Sequence, residues 1–134
     1  MTYFESDVKS IPYPAGKVYG FLSDFDNFGS LIDSDKISNW QSFGDSCSFE
    51  VEGLGGVDLT ITDQKPDKHI KYAAGGNVPF NFYLWVELTE VEEDQCHLKL
   101  TLEADLNPMM KMMAEEPLKK FLGMLADSIA GHAY

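Results

Sequence analysis

The chain has no arginine: its ten basic residues are all lysine, set against 22 acidic ones, for a formal charge of -12 over 134 residues. Bidentate recognition of phosphate and carboxylate relies on the guanidinium fork, and nucleic-acid binding needs a dense basic face that releases counterions. Nucleic acids and anionic membranes are therefore not expected partners. Long apolar runs are missing too, so no membrane span is expected. The N-terminal MTYFESDVKS has no basic head followed by an apolar stretch, and reads as neither signal nor transit peptide. The only two cysteines, Cys47 and Cys96, are then expected to be reduced and buried in a cytoplasmic protein.

Chemical motifs are scarce. His69, His97 and His132 are too far apart for a zinc pair and are read as solvated surface residues. There is no G-x-S-x-G, and the glycines of GLGG at 53–56 and AGG at 74–76 lack the lysine or helix start of a phosphate loop, so they read as hairpin turns. The segment DFDNFGSLIDSD at 24–35 puts Asp24, Asp26, Gly29, Leu31 and Asp35 in calcium-loop positions. Phe28 offers no oxygen there, and Asp35 is shorter than the usual closing glutamate. The alternative is a helical junction capped by Asp24, with Phe25, Phe28, Leu31 and Ile32 entering the core. No metal, cofactor or catalytic residue is expected.

What the chain does have is an ordered change of hydrophobic period. Residues 3–11 alternate as a strand, with Phe4, Ser6 and Val8 on one face, and Pro12 and Pro14 stop it. Val18, Phe21, Leu22 and Phe25 then recur at helical spacing over 15–24, with a second helical turn over 25–33. From residue 36 the period is two, predicting strands near 36–43, 46–53, 56–64, 68–75, 80–91 and 95–105 in an antiparallel meander. Phe80, Phe82, Leu84, Val86 and Leu88, and then Leu98, Leu100, Leu102 and Ala104, fall on one face. Asn107 and Pro108 open a final helix whose stripe is Met110, Ala114, Leu118, Phe121, Leu122, Leu125 and Ile129. Pro117 predicts a kink or break within it.

This order, β-α-α-β6-α, is an α+β design in which a curved antiparallel sheet wraps around one long C-terminal helix, leaving room between them for an apolar ligand. The expected lining is Phe49, Val51, Leu59, Ile61, Tyr72, Phe82, Leu84 and Leu100 from strands, with Met109, Met110, Met113 and Phe121 from the helix. Methionines suit a surface that adapts to variable guests, and they also fill irregular core gaps. Tyr83 and Trp85 point to the opposite sheet face, where exposed aromatics suggest a homodimer contact.

The stretches FESDVKSIPYPAGKVYGFLSDFDNFGSLI at 4–32 and NPMMKMMAEEPLKKFLGMLADSIA at 107–130 resemble the opening and closing segments of the START-like SRPBCC superfamily. That superfamily, with the helix-grip fold, includes polyketide cyclases and dehydratases, lipid-transfer domains and pollen allergens. The resemblance covers essentially residues 1–134 as a single domain and implies a deep hydrophobic pocket between sheet and C-terminal helix. Enzymatic members place polar groups in that pocket; here the inward positions are almost all hydrocarbon, with Tyr72 the main candidate for a hydrogen-bonding tip. The leading expectation is a non-enzymatic binder or transporter of a small lipid- or polyketide-like molecule. The alternatives are a cyclase or dehydratase acting on an apolar carbonyl compound with Tyr72 as donor or acid, and a protein-partner module using the acidic surface with Tyr83 and Trp85.

Overall fold

A computed structural model describes residues 2–29, 37–51, 55–76, 80–132 and 134. Within them the chain forms strands β1 (Thr2–Glu5) and β2 (Lys9–Ile11), helices α1 (Ala15–Leu22) and α2 (Phe25–Phe28), and strands β3 (Ile37–Ser42), β4 (Ser46–Val51) and β5 (Gly55–Lys65). Strands β6 (His69–Gly76), β7 (Phe82–Glu92) and β8 (Gln95–Ala104) follow, and helix α3 (Pro108–Gly131) completes the series. The sheet is antiparallel with order β1-β8-β7-β6-β5-β4-β3, and β2 also pairs with β8. Strands β3 to β8 thus meander, and the opening strands close on the last one. Helix α3 runs alongside β8, β2 and β1 across the concave face, the α+β helix-grip arrangement anticipated from the element order.

Alternation builds the core. Phe82, Leu84, Val86 and Leu88 of β7 are buried, as are Leu98, Leu100, Leu102 and Ala104 of β8, and their Cα partners face one another across the ladder. One face is therefore apolar along both strands, as their period-two pattern requires. On α3, Ala114, Leu118, Phe121, Leu122, Leu125 and Ile129 are buried and Met110 is half-buried, so the predicted stripe faces the sheet. Asn107 caps this helix, its side-chain oxygen accepting from the Met110 amide at 2.8 Å. The expected break at Pro117 does not occur, because the helix continues through it. Buried Ala114 and Leu118 hold the turns on either side of the proline to the sheet, so one missing amide donor does not interrupt the helix.

Four register slips depart from simple alternation, one of them between Glu90 and Glu92 at the end of β7. The single opening strand expected over 3–11 is two strands: Glu5 faces Thr101 but Lys9 faces Leu98, leaving an extra residue on the opening side. Ser6 marks the slip, its amide donating to the Leu100 carbonyl and its hydroxyl accepting from the Leu100 amide, both at 2.9 Å. Val8, expected to share the inner face with Phe4, is consequently 60% exposed, and Ile11 is buried instead. A second slip separates Ser38 from Gln41 in β3, and a third separates Ile61 from Asp63 in β5.

Helix α2 is capped by Asp24, whose carboxylate accepts from the Asp26 amide at 2.9 Å. The Asp26 carboxylate accepts from the Ser42 hydroxyl at 2.6 Å. Both acids are thus engaged locally, and among the described residues no group of His, Cys, Asp and Glu could hold a metal. The expected continuation of α2 to residue 33, with Leu31, Ile32 and Asp35, lies outside the described residues, as do Gly53, Leu54 and the turn at 77–79. Cys47 and Cys96 are unpaired and buried. The histidines are not freely solvated: all three are half-buried, His69 beside the Asp63 carboxylate at 3.3 Å and against the Trp85 ring on the sheet's outer face, and His132, at the end of α3, against the Phe21 and Tyr134 rings. Tyr83 and Trp85 are half-buried on that face, with the Lys71 ammonium 4.5 and 4.8 Å from their ring centroids and the Trp85 indole donating to Glu103 at 3.0 Å. Among the described residues no helix is long and apolar enough to cross a membrane.

Candidate functional site

The concave face of the sheet carries a chain of aromatic rings running from α2 to α3. Phe28 stacks on Trp40 with centroids 6.2 Å apart, Trp40 on Phe49 at 5.7 Å, and Phe49 on Phe121 at 5.9 Å, with interplanar angles of 12°, 29° and 25°. Phe25 and Tyr72 buttress one end: Phe25 lies 5.3 Å from Phe28 and 5.4 Å from Tyr72, and Phe28 lies 5.9 Å from Tyr72. Such offset and edge contacts stabilise ring clusters beyond their buried area.

Trp40 reaches this wall because of the slip in β3. Ile37 pairs with Val51, so plain alternation would send residue 40 to the outer face. The extra residue is Asn39, in the left-handed region with φ 56°, its side-chain amide donating to Glu50 at 2.7 Å. Asparagine takes this conformation more readily than most residues, and the bulge turns Trp40 inward. Gly29, which follows α2, makes room: a Cβ there would sit 2.8 Å from the Trp40 indole nitrogen.

Of the residues expected to line the site, Phe49, Tyr72 and Phe121 belong to this ring cluster. Leu59, Phe82, Leu84 and Leu100 are fully buried on the same face, Val51 is nearly so, and Ile61 and Met110 are half-buried against the core. Met109 and Met113 stand apart, each 73% exposed on the first turns of α3. Sequence reasoning missed Trp40, which the asparagine before it could have signalled, and passed over Cys47, buried on β4. It placed Phe25 and Phe28 in the core without connecting them to the site.

The chemistry available here is narrow. No buried residue among those described is charged, and the polar groups on this wall are the Tyr72 hydroxyl, the Cys47 thiol and the Trp40 indole N–H. The hydroxyl donates to the Leu22 backbone carbonyl at 2.8 Å, at the end of α1. Burial pushes the Tyr72 phenol well above its ordinary range, with the neighbouring Cys47 adding to the effect. Burial also pushes the Cys47 thiol up to about 12, the Leu59 backbone offsetting it in part. Both groups therefore remain protonated at neutral pH. The wall can exclude water and press rings and hydrocarbon against a guest; it holds no poised base.

No protein-family model matches the sequence, and no curated protein does. Solved structures are similar in fold. Truncated norcoclaurine synthase from Thalictrum flavum matches with a TM-score of 0.78 and 13% identity, covering 98% of this chain and 95% of that one. The same enzyme in complex with dopamine and hydroxybenzaldehyde gives 0.77 and 13%, covering 96% and 84%. A START superfamily protein from Mycobacterium smegmatis gives 0.67 and 15%, covering 96% and 94%. The resemblance first carried by residues 4–32 and 107–130 thus extends to the whole architecture: the chain has a START-like helix-grip fold.

Proposed function

We propose that this START-like helix-grip domain, residues 1–134, binds or carries a small hydrophobic molecule between the concave face of its sheet and α3, without transforming it. The observation that carries the reading is the wall itself, continuous rings and hydrocarbon whose single hydroxyl is already bonded to Leu22. In this reading the first turns of α3 form the rim, with Met110 turned toward the guest and Met109 and Met113 outside it. Removing about 300 Å² of apolar area from water would contribute roughly 7 kcal/mol before association costs, enough for binding without a salt bridge. The reduced state of Cys47 and Cys96 supports a cytoplasmic location.

The enzyme reading draws on one observation: a solved structure of the same fold is a synthase, seen with dopamine and hydroxybenzaldehyde. For this chain it would require Tyr72 to leave the Leu22 carbonyl and serve as proton donor. One experiment separates the two. A Trp85→Phe variant leaves Trp40 as the sole indole, and a panel of fatty acids and aromatic polyketides is added to it. The carrier reading expects saturable quenching of Trp40 and a raised melting temperature, with each compound recovered unchanged. Chemical conversion of a bound compound would establish the enzyme; a panel that neither quenches nor stabilises would refute both.

A further inference from the structure

A second concavity lies away from the ring-lined wall and shares none of its residues. It is a groove of about 470 Å³ between the opening strands and the outer side of α3, within the range of roughly 300–1,000 Å³ usual for small-molecule sites. The slip at Ser6 creates the strand side, because it swings Asp7 out between Glu5 and Lys9. Gly123 creates the helix side. Glycine is unfavourable in the middle of a helix, and a Cβ built at Gly123 meets nothing within 4 Å. The missing side chain leaves the groove open, above a floor that includes buried Phe4, Leu122 and Ala126.

The charges in the groove are nearly all committed. Lys9 is bound to Asp127 at 2.9 Å, Glu5 to Lys99 at 3.4 Å, and Lys119 to Glu115 at 3.0 Å. The Asp7 carboxylate is exposed and has no hydrogen bond or ion pair among the described residues. Tyr3, which is 61% exposed, is also among the lining residues. An anionic ligand would have to pull a lysine from its partner, within a chain of net charge -12. A cation finds the Asp7 carboxylate, which has no bonded partner among the described residues and acts only at a distance on Lys9, together with an apolar floor.

We propose that this groove binds a small organic ammonium bearing a short hydrocarbon arm, its head at Asp7 and its arm over Gly123. Hexyltrimethylammonium is the probe, titrated into the ¹⁵N-labelled protein, with hexanol and hexanoate as matched controls. Saturable shifts at Tyr3, Asp7, Gly123 and Ala126, with hexanol and hexanoate at least fivefold weaker, support the assignment. Gly123→Phe abolishes those shifts by filling the groove, with its melting transition recorded to establish folding. Asp7→Asn, which touches no packed atom, weakens the ammonium up to roughly fivefold, the most an exposed ion pair supplies. Equal affinity for hexanol, retention of binding in folded Gly123→Phe, or shifts confined to Trp40 and Phe49 would overturn it.

Discussion

The Tyr72 hydroxyl donates to the Leu22 carbonyl at 2.8 Å, tying the middle of β6 to the last residue of α1. The final carbonyls of a helix have no partner within it, and this phenol supplies one of them from across the core. Tyr72→Phe keeps the ring and orphans a buried acceptor, so it should cost about 1–3 kcal/mol. Urea unfolding measures the loss. Ligand affinity within a few-fold of the parent would agree with a carrier, whereas an enzyme using this donor would lose turnover.

Asn39 is the extra residue before Trp40. Asn39→Val places a β-branched residue at φ 56° and removes the bond to Glu50, which should destabilise the chain by about 1–2 kcal/mol. Deleting Asn39 removes the extra residue and lets Trp40 fall directly opposite Phe49 in regular register, so its ring stays on the inner face. In a Trp85→Phe background the deletion variant should keep the indole emission of its parent and its quenching by apolar ligands. A red shift would mean that register against β4 does not set the side of Trp40.

Thiol reactivity tests the burial of the two cysteines. Burial pushes Cys47 up to about 12 and raises Cys96 as well. Both should resist an aromatic disulfide reagent at pH 8 in the native state and react together on unfolding. Rapid native labelling of Cys47 would show that the wall opens readily to solvent.

The Lys9 and Asp127 pair predicts an alkaline effect. Its side-chain hydrogen bond to Asp127 raises the Lys9 ammonium above its ordinary 10.5. A raised cation contributes fully below the unfolded value, and that contribution fades as pH climbs past 10.5 toward the folded value. Melting temperatures of the parent and Lys9→Met should therefore converge above that point, and in high salt at neutral pH. A constant gap across both conditions would assign the effect to packing of the lysine stem.

Much of the architecture was legible because long elements repeat one rule. Phe82 to Leu88 and Leu98 to Ala104 alternate without fault, and the α3 stripe from Ala114 to Ile129 keeps helical spacing with a cap at Asn107. The candidate site was less so. Its key ring, Trp40, depends on one extra residue in β3, and a shift of one residue reverses every side chain beyond it. The same shift at Ser6 exchanged Val8 for Ile11. Pairing with β8 and β4 decides such slips, and neither partner is local to the slip. Pro117 does not break α3 for a related reason: its own turn disfavours a helix, and contacts on the turns around it prevail.

The opposition of Thr2 and Ala104 has a bearing on synthesis. A ribosome must release the chain through residue 104 before the opening segment can meet its permanent neighbour. Until then Phe4 and Ile11 remain uncovered on a nascent peptide. Contacts so distant along the chain form late and slowly, so the wrapped wall closes only after β8 has left the ribosome.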